Sequence, residues 1–233
     1  MRTIVLKFSG PMQSWGTDSH FDVRHTDFYP SKSAVVGMIA AAMGLKRNDE
    51  KISSLDSIHF SVRVDQSGRI AKDFQTAYGR KGKKEIKYIT TRYYLEDAVF
   101  IVAIGIDDEL EAEEILESLR HPYFQLDMGR RACPVPADFI IGVYDKNPLE
   151  VLKKLPWQAS IWYKKKSKSG EIRLPVYTDD LEVKGIARTR RDRLLSLSPD
   201  GRKYTDRIEN EIPAYVQNEQ YQEHDAFKAL GGE

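Results

Sequence analysis

Side chains that can bind phosphates and bases recur in four segments of this chain, the first of which is a loop at residues 10–16. Gln13 and Ser14 offer hydrogen bonds there, and Trp15 offers an aromatic face on which a base can stack. Single-stranded RNA is bound through phosphates, splayed bases and 2′-hydroxyls, so this set of groups suits an RNA contact. The same tryptophan also suits an apolar core, and the loop also fits an ordinary turn after a strand.

The second segment is the start of a helix that ends near Gly44. Ser31 is a suitable N-cap residue, and Lys32 and Ser33 place an ammonium group and a hydroxyl in the first turn. Unpaired N–H groups at a helix start bind phosphate, so both residues are candidate phosphate ligands. The glycines that a Walker A loop requires before its lysine are absent from the sequence. A capped helix with a solvated lysine remains the alternative.

The third segment, residues 69–92, is strongly basic. It holds eight lysines and arginines against two acids, which gives a local charge of +6 in a chain whose formal net charge is +1. Its position between two strand patterns predicts a long β-hairpin or finger. A charge run is usually a solvated face, but aromatic residues interleave with this one, which favours a surface that follows a phosphate backbone. The candidate residues in this segment are Arg80, Lys81, Lys83, Lys84 and Arg92.

The fourth segment is a Gly-Arg-Arg sequence. Gly129 permits the close approach of another backbone, and Arg130 and Arg131 carry planar guanidinium groups that suit phosphates and base edges. Arg24, in the long loop after Trp15, adds a further guanidinium group. An ordinary turn with exposed arginines is the alternative.

Composition restricts the compartment and the cofactors. The single cysteine, Cys133, excludes an intrachain disulfide and a cysteine-cluster metal site. We expect no metal and no cofactor. No apolar run reaches the length of a signal sequence or the roughly 20 residues of a membrane helix. These features predict a cytoplasmic protein that does not contact a membrane.

The order of the elements predicts an α+β fold. Strand patterns at residues 2–8, 57–65, 93–106 and 138–144 combine with helices at 31–44 and 107–120. This order is that of a ferredoxin-like (RRM-like) β-α-β-β-α-β domain, which we assign to residues 1–147, with the basic hairpin at 69–92 inserted as a thumb. The second helix has an acidic outer face that would repel RNA, so RNA is expected on the other side of the sheet.

The rest of the chain, residues 148–233, predicts a small and mainly β C-terminal extension. Residues 158–163 and 171–177 have strand patterns and are expected to pair around a basic tip. From residue 206 onward the sequence is polar and weakly periodic, which indicates a helix or a tail.

Four motifs, in this order along the chain, resemble one known family. They are GPMQSWG at residues 10–16, PSKS at 30–33 continuing to Gly37 and Gly44, RYYLEDA at 92–98, and GRRACP at 129–134. Together they resemble the CasD subunits of type I-E CRISPR Cascade complexes, which are members of the RAMP superfamily. The resemblance covers residues 1–145.

The resemblance implies a ferredoxin-like domain with a β-hairpin thumb that caps one end of the Cascade backbone. It implies that the protein holds the 5′ handle of the crRNA and contacts the backbone subunit CasC and the large subunit CasA, with target DNA near the thumb. In this subtype the separate subunit CasE cuts the precursor RNA, and CasD is not known as an enzyme. A related subunit of subtype I-C does cleave the precursor.

The residues and the resemblance together predict a non-catalytic crRNA-binding subunit. The positions expected to contact RNA are Gln13, Ser14, Trp15, Arg24, Lys32, Ser33, Arg80, Lys81, Lys83, Lys84, Arg92, Gly129, Arg130 and Arg131.

Two other functions remain possible from the sequence. A metal-independent endoribonuclease needs a base near a 2′-hydroxyl and an acid at the leaving oxygen. His20 and His25 lie in the loop before the first helix, and Tyr29 and Lys32 are close to them in sequence. The remaining alternative is a protein of the same architecture that does not bind RNA, because one fold hosts many functions.

Overall fold

The computed structural model describes residues 1–17, 22–81, 84–198 and 201–221, and it shows a mixed α+β chain with one large antiparallel sheet. The strands are β1 (Arg2–Ser9), β2 (Met12–Gln13), β3 (Val23–Arg24), β4 (His59–Gln66), β5 (Arg69–Lys81), β6 (Lys84–Glu96), β7 (Val99–Ile106), β8 (Ile140–Tyr144), β9 (Glu171–Thr178), β10 (Ile186–Ser196) and β11 (Lys203–Gln217). The helices are α1 (Lys32–Ala42), α2 (Lys51–Ser54), α3 (Glu109–Arg120), α4 (Pro148–Lys154) and α5 (Ile161–Lys166), and a 3₁₀ turn covers Leu55–Ser57. The predicted α+β class is confirmed.

Seven strands form the central sheet, in the order β10-β11-β9-β4-β7-β1-β8, and all neighbours are antiparallel. Every residue of β7 is buried, because this strand lies between β1 and β4 and is covered on both faces. A strand that is buried on both faces reads as a continuous apolar run, and this run is what predicted β7 from the sequence.

The two faces of the central sheet pack against different layers. On one face, Ile4 and Phe8 of β1 share a core with Val35 and Ile39 of α1 and with Ile115 of α3. On the other face, apolar residues of β1, β7, β9 and β11 share a core with α4. The second face is therefore packed rather than open, contrary to the expectation that RNA lies across it.

The basic hairpin forms as the sequence predicts. Strands β5 and β6 pair in antiparallel register from Arg69 opposite Glu96 out to the tip. Strands β2 and β3 also pair with β6, which ties the hairpin to the loop after β1. Lys83, at the tip, lies outside the described residues. We refer to residues 69–96 as the thumb.

The C-terminal third differs from the prediction in two places. Residues 158–163 are not a strand, because α5 begins at Ile161 and β9 pairs instead with β4 and β11. Residues 206–217 are not a helix or tail, because they continue β11. Burial in β11 alternates as in a strand, but its buried positions include Arg207 and Glu209. The apolar alternation that identifies a strand in a sequence is therefore missing.

Strand β9 pairs with β4, so the chain after residue 148 extends the central sheet. The proposed division into units 1–147 and 148–233 stays a prediction. Residues 222–233 of the expected tail lie outside the described part of the chain.

A buried ion pair fixes the segment after α4 to the end of β4. Arg63 and Asp65 are 0% and 1% exposed, and two hydrogen bonds join their side chains. The Arg63 guanidinium also donates to the carbonyl oxygens of Leu152 and Leu155, and the Asp65 carboxylate accepts from the N–H of Gln158. Burial raises the pKa of the Asp65 carboxyl, and the positive charge of Arg63 opposes that rise.

We expect Arg63→Met to lower the free energy of unfolding by about 3–5 kcal/mol, because it leaves the Asp65 carboxylate buried without its positively charged partner. Denaturant unfolding followed by circular dichroism measures this loss. The matched control is Arg80→Met, which removes an exposed pair with Glu85 at 3.9 Å and should change stability by less than about 1 kcal/mol. Equal effects of the two substitutions would show that the buried pair does not anchor this segment.

Candidate nucleic-acid interface

Three of the four predicted segments meet at one open cavity of about 790 Å³. Its walls are the loop at Ser14, the first turns of α1 around Ser33, and the loop that carries Arg130, with Arg24 at its side. Polar and basic groups therefore line a concave surface large enough to receive a nucleotide or two. None of the described residues of the basic hairpin lines this cavity.

A backbone contact between Ser14 and Gly129 brings the first and fourth segments together. The Ser14 N–H donates to the carbonyl oxygen of Met128 at 3.1 Å. Gly129 has a φ of +88°, and a Cβ placed on it would lie 1.7 Å from the Ser14 carbonyl oxygen. Only glycine fits at this position, which is the role that the sequence indicated for it.

Gln13 and Trp15 lie inside the core, contrary to the expectation that they contact bases directly. Gln13 is 0% exposed, and its amide donates to the carbonyl oxygens of Phe8 and Ala98 and accepts from the Trp15 indole N–H. The Trp15 ring is 1% exposed and packs against Phe8 at a centroid distance of 5.1 Å. Both side chains support the loop, and Trp15 also forms part of the cavity wall. Ser14 lies between them in the sequence and lines the cavity.

Arg130 is held in place by an aromatic ring and a backbone carbonyl, and one nitrogen of its guanidinium has no hydrogen-bond partner within the described residues. The guanidinium lies over the Tyr94 ring, 4.3 Å from its centroid, and Nη2 donates to the Arg24 carbonyl oxygen. Its Nη1 atom is buried and has no hydrogen-bond partner within the described residues. Arg131, beside it, is exposed. A stacked and oriented guanidinium with an unused donor is well suited to a phosphate or a base edge.

Arg24, at the side of the cavity, connects the cavity to basic residues of the thumb that lie outside it. Arg24 of β3 lies opposite Arg92 of β6 in the register that joins these strands, and Arg24 is exposed. The Nε atom of Arg92 is buried and has no hydrogen-bond partner within the described part of the chain. Near the tip, Arg80 and Lys84 are exposed. Neither Lys83 nor the side chain of Lys81 belongs to the described part of the thumb.

The start of α1 is closed by internal acids, which corrects the expectation for Lys32. The Lys32 ammonium bonds to Asp179 at 2.9 Å, and the Lys32 N–H donates to Asp192 at 2.8 Å. Lys32 is only 6% exposed. The Ser31 hydroxyl caps the helix by accepting from the Ala34 N–H. A carboxylate of the protein thus occupies the place that the sequence offered to a phosphate, and Ser33 is the predicted residue of this turn that lines the cavity.

A buried charge network behind α1 was missed by the sequence reasoning. Asp192 is 0% exposed and accepts two hydrogen bonds from Arg207, which also pairs with Glu209. Arg190 bonds to Asp27 and to the carbonyl oxygen of Tyr29. The arginines of β10 at 188, 190 and 193 pair with Glu211, Asp27 and Asp56, which are acids outside this strand. Arg190 also lies 3.8 Å from Asp192 of its own strand.

Among the described residues, each candidate catalytic side chain is engaged in another contact. Tyr29 donates its hydroxyl proton to Glu209 at 2.5 Å, and its ring stacks on Tyr177. Burial and the hydrogen bond to Glu209 raise the pKa of Tyr29 far above its ordinary value, so it is a poor proton donor at neutral pH. His25 is exposed and stacks on Tyr93, and Lys32 is bound by Asp179. His20 lies outside the described residues.

Two further residues line the cavity from the hairpin of β10 and β11. Arg202 and Tyr204 contribute a cation and an aromatic ring to its wall. Their basic and aromatic character was visible in the sequence, but they lie in the region for which no motif gave guidance. The loop at Asp127 adds an acid, whose pKa is raised by burial and held back by Arg131.

Comparisons with known proteins identify the family. Residues 3–219 match the family described as "CRISPR-associated protein (Cas_Cas5)". The chain is 30% identical over 156 residues to the CRISPR system Cascade subunit CasD of Escherichia coli strain K12, a match that covers 60% of this chain and 70% of that protein. The protein therefore belongs to the Cas5 family of CRISPR-associated proteins. The resemblance inferred from the four motifs is confirmed, and the family match continues past residue 145 into the C-terminal strands.

Solved structures agree with this assignment. A chain of a "CRISPR RNA-guided surveillance complex" is 29% identical, with a TM-score of 0.79 and coverage of 96% of this chain and 94% of that chain. A second structure, titled "Crystal structure of Cas protein", is 28% identical, with a TM-score of 0.66 and coverage of 95% and 98%. None of the helices in the described parts of the chain has the length and apolar character needed to cross a membrane.

We expect Gly129→Ala to destabilise the protein by more than about 1–3 kcal/mol, because the strain of a positive φ is added to a clash with the Ser14 carbonyl oxygen. It should also separate the two loops and thereby weaken RNA binding at the cavity. Thermal unfolding and RNA binding by fluorescence anisotropy measure the two effects.

Gly37→Ala is the matched control, because Gly37 also lines the cavity but lies within α1 with no atom within 4 Å of its Cβ position. This substitution should leave stability unchanged or raise it by about 0.5–1 kcal/mol through helix propensity. If Gly129→Ala unfolds no earlier than Gly37→Ala, the close contact with Ser14 is not maintained in solution.

Proposed function

We propose that this protein is the crRNA-binding subunit that holds the 5′ handle of the guide RNA at one end of a CRISPR Cascade surveillance complex. One observation carries the proposal: the Ser14–Gly129 contact and the stacked Arg130 place predicted RNA-binding segments around one cavity. Membership of the Cas5 family and similarity to a chain of an RNA-guided surveillance complex support it.

The cavity suits the backbone of a single strand. Arg130 and Arg131 would meet phosphates with charge-assisted hydrogen bonds, and the Ser33 hydroxyl would contribute from the start of α1. Arg24 and Arg202 add cations at the rim. Among the residues that the structure describes, the cavity has no open aromatic pair on the central sheet, so binding would rely on phosphates and 2′-hydroxyls more than on base stacking.

The thumb would contact the strand where the handle gives way to the spacer. Phe74 and Tyr78, four positions apart and therefore on one face of β5, are 64% and 74% exposed. Lys72 lies over the Phe74 ring and Lys87 over the Tyr78 ring. Exposed aromatic rings with adjacent cations form a surface on which bases can stack. The same surface is available to target DNA that enters near the thumb.

The remaining expectations from the resemblance are also proposals. The contacts with CasC and CasA would position the subunit at the end of the backbone, and the complex would act in the cytoplasm. A ferredoxin-like core is proposed for β1, α1, β4, β7, α3 and β8, and the antiparallel order β8-β1-β7-β4 supports it.

Reversing both charges in Arg130→Glu/Arg131→Glu should weaken binding of the crRNA handle at least about 100-fold, because two charge-assisted bonds of about 1.5–3 kcal/mol each are replaced by repulsion. Fluorescence anisotropy with the labelled handle RNA measures the loss. Lys46→Glu/Arg47→Glu is the control, since it makes the same charge change at two exposed residues after α1.

The control variant should bind the handle within about threefold of the unchanged protein if local contacts rather than net charge dominate affinity. Survival of both handle affinity and complex assembly in the Arg130/Arg131 variant would show that the cavity is not the RNA site.

We further propose that the subunit is not a nuclease. The tyrosine and lysine that an acid–base mechanism would use are committed to Glu209 and Asp179. Incubation of the purified protein with precursor crRNA in EDTA should therefore leave the RNA intact, as judged on a denaturing gel. Defined cleavage that disappears in His25→Ala would establish the endoribonuclease function instead.

A further inference from the structure

A second basic surface surrounds α5, and none of its residues lines the cavity. Residues 153–173 hold seven lysines and arginines against one acid, a local charge of +6 that exceeds the net charge of the whole chain. Four of these lysines follow one another closely next to an exposed tryptophan. We use the name α5 surface for these five residues, which are Trp162, Lys164, Lys165, Lys166 and Lys168.

An aromatic series runs from the core to the α5 surface. Trp157 is buried at 2% exposure, and Tyr163 packs edge-on against it with a centroid distance of 6.0 Å. Trp162 in turn packs edge-on against Tyr163 at 5.6 Å but is itself 53% exposed. The exposed indole is thus held in one orientation by a ring that is anchored in the core. An oriented and exposed ring is a stacking platform for a base.

The lysines of the α5 surface differ in their contacts: Lys164 lies over the Trp157 ring, 5.9 Å from its centroid, whereas the other three form no ion pair within the described part of the chain. Lys165, Lys166 and Lys168 are exposed, and none of them has an ion-pair partner among the described residues. This distinguishes them from Lys32 and Arg207, whose charges are matched by internal acids. Their charge is therefore available to a polyanion.

The backbone beneath the α5 surface is fixed by buried amides. The N–H and hydroxyl of Ser160, just before α5, both donate to the Gln66 side chain. The Asn218 side chain donates to the carbonyl oxygens of Lys164 and Ser169 at the other end. Only 3% of Gln66 and 5% of Asn218 is exposed. Because these hydrogen bonds already fix the backbone, little backbone conformational entropy is lost when the surface binds a ligand.

The α5 surface lies at the same end of the central sheet as the thumb. Gln66 is the last residue of β4, and its amide also donates to the carbonyl oxygen of Asp97, at the base of the thumb. Val99, which begins β7, pairs with both Gln66 and Ser9, so the loop after β1 starts at this end as well. A strand leaving the thumb therefore has a basic surface close by.

We propose that the α5 surface binds single-stranded nucleic acid without sequence preference, with phosphates on the lysines and one base stacked on Trp162. Closely spaced cations beside a fixed aromatic ring are the features by which proteins follow a single strand. Charge complementarity selects a polyanion, and the exposed ring favours an unpaired base over an acidic polypeptide. The surface includes no residue of the cavity.

The test uses the full-length chain and a 20-nucleotide oligothymidylate. Trp15 and Trp157 are 1% and 2% exposed, so Trp162 is the indole accessible to a base. Addition of the oligonucleotide should quench the tryptophan fluorescence, and this quench should be lost in Trp162→Phe. Because phenylalanine still stacks, Trp162→Phe should keep its affinity within about threefold, whereas Trp162→Ala should lose about 5- to 150-fold.

Charge reversal tests the lysines independently. Lys165→Glu/Lys166→Glu should reduce the magnitude of the slope of log affinity against log salt by about 1.4, which corresponds to two phosphate contacts on a single strand. Lys46→Glu/Arg47→Glu carries the same charge change and should keep the slope. Both variants should unfold at the same temperature as the unchanged protein, because all four side chains are exposed.

Three results would overturn the inference. They are saturation with oligothymidylate without a change in tryptophan fluorescence, an unchanged salt slope in Lys165→Glu/Lys166→Glu, and equally strong competition by polyglutamate of matched charge. The last result would assign the surface to an acidic protein partner. Handle RNA binding at the cavity is measured separately with Arg130→Glu/Arg131→Glu, so failure here leaves the proposed function unaffected.

Discussion

The buried carboxylate of Asp192 at the start of α1 is the interaction on which the cavity depends. It accepts from the Lys32 N–H and from the Arg207 guanidinium, and so it joins the first turn of the helix to β10 and β11. A carboxylate with no exposure is stable only when such donors surround it, so helix and strands must keep one relative position. The wall formed by α1 and the wall formed by Arg202 and Tyr204 therefore face each other in a fixed geometry.

The side of the cavity formed by Ser14 and Gly129 is held in position by contacts between uncharged groups. Gln13 uses its whole amide to bond Phe8, Ala98 and Trp15, and this holds the loop after β1 at the height where Ser14 meets Gly129. No charge is needed here, because a glycine with positive φ lets two backbones touch directly. Buried charges thus stabilise one side of the cavity, and uncharged hydrogen bonds and a glycine contact stabilise the other. Different substitutions should therefore disrupt each side. A substitution in one should not loosen the other unless the core between them moves.

The sequence predicted the features that depend on residues close together in the chain. It did not predict the features that depend on contacts between residues far apart in the chain. The Ser31 cap, the apolar run of β7 and the basic hairpin are local signals, and each is present in the structure. Lys32 looked like a phosphate ligand because its partner Asp179 is 147 positions away. The strand β11 was hidden by Arg207, Glu209 and Asn210, whose inward side chains pair with other buried groups and break the apolar alternation. Gly129 was singled out because glycine alone permits a positive φ and the close approach of another backbone, but the sequence could not show that this backbone belongs to the distant Ser14.

Two groups of charged residues in this protein have different roles. Those at Arg63, Arg207 and Lys32 are buried beside acids, and they hold the sheet, the start of α1 and the segment after α4 in position. Those at Arg131, Lys84 and Lys165 are exposed, and no ion-pair partner for them exists among the described residues. A net charge of +1 hides this division, because nearly equal numbers of acids and bases are unequally placed. Since exposed charges are screened by salt and buried pairs much less so, rising ionic strength should weaken contacts with nucleic acid well before it weakens the fold.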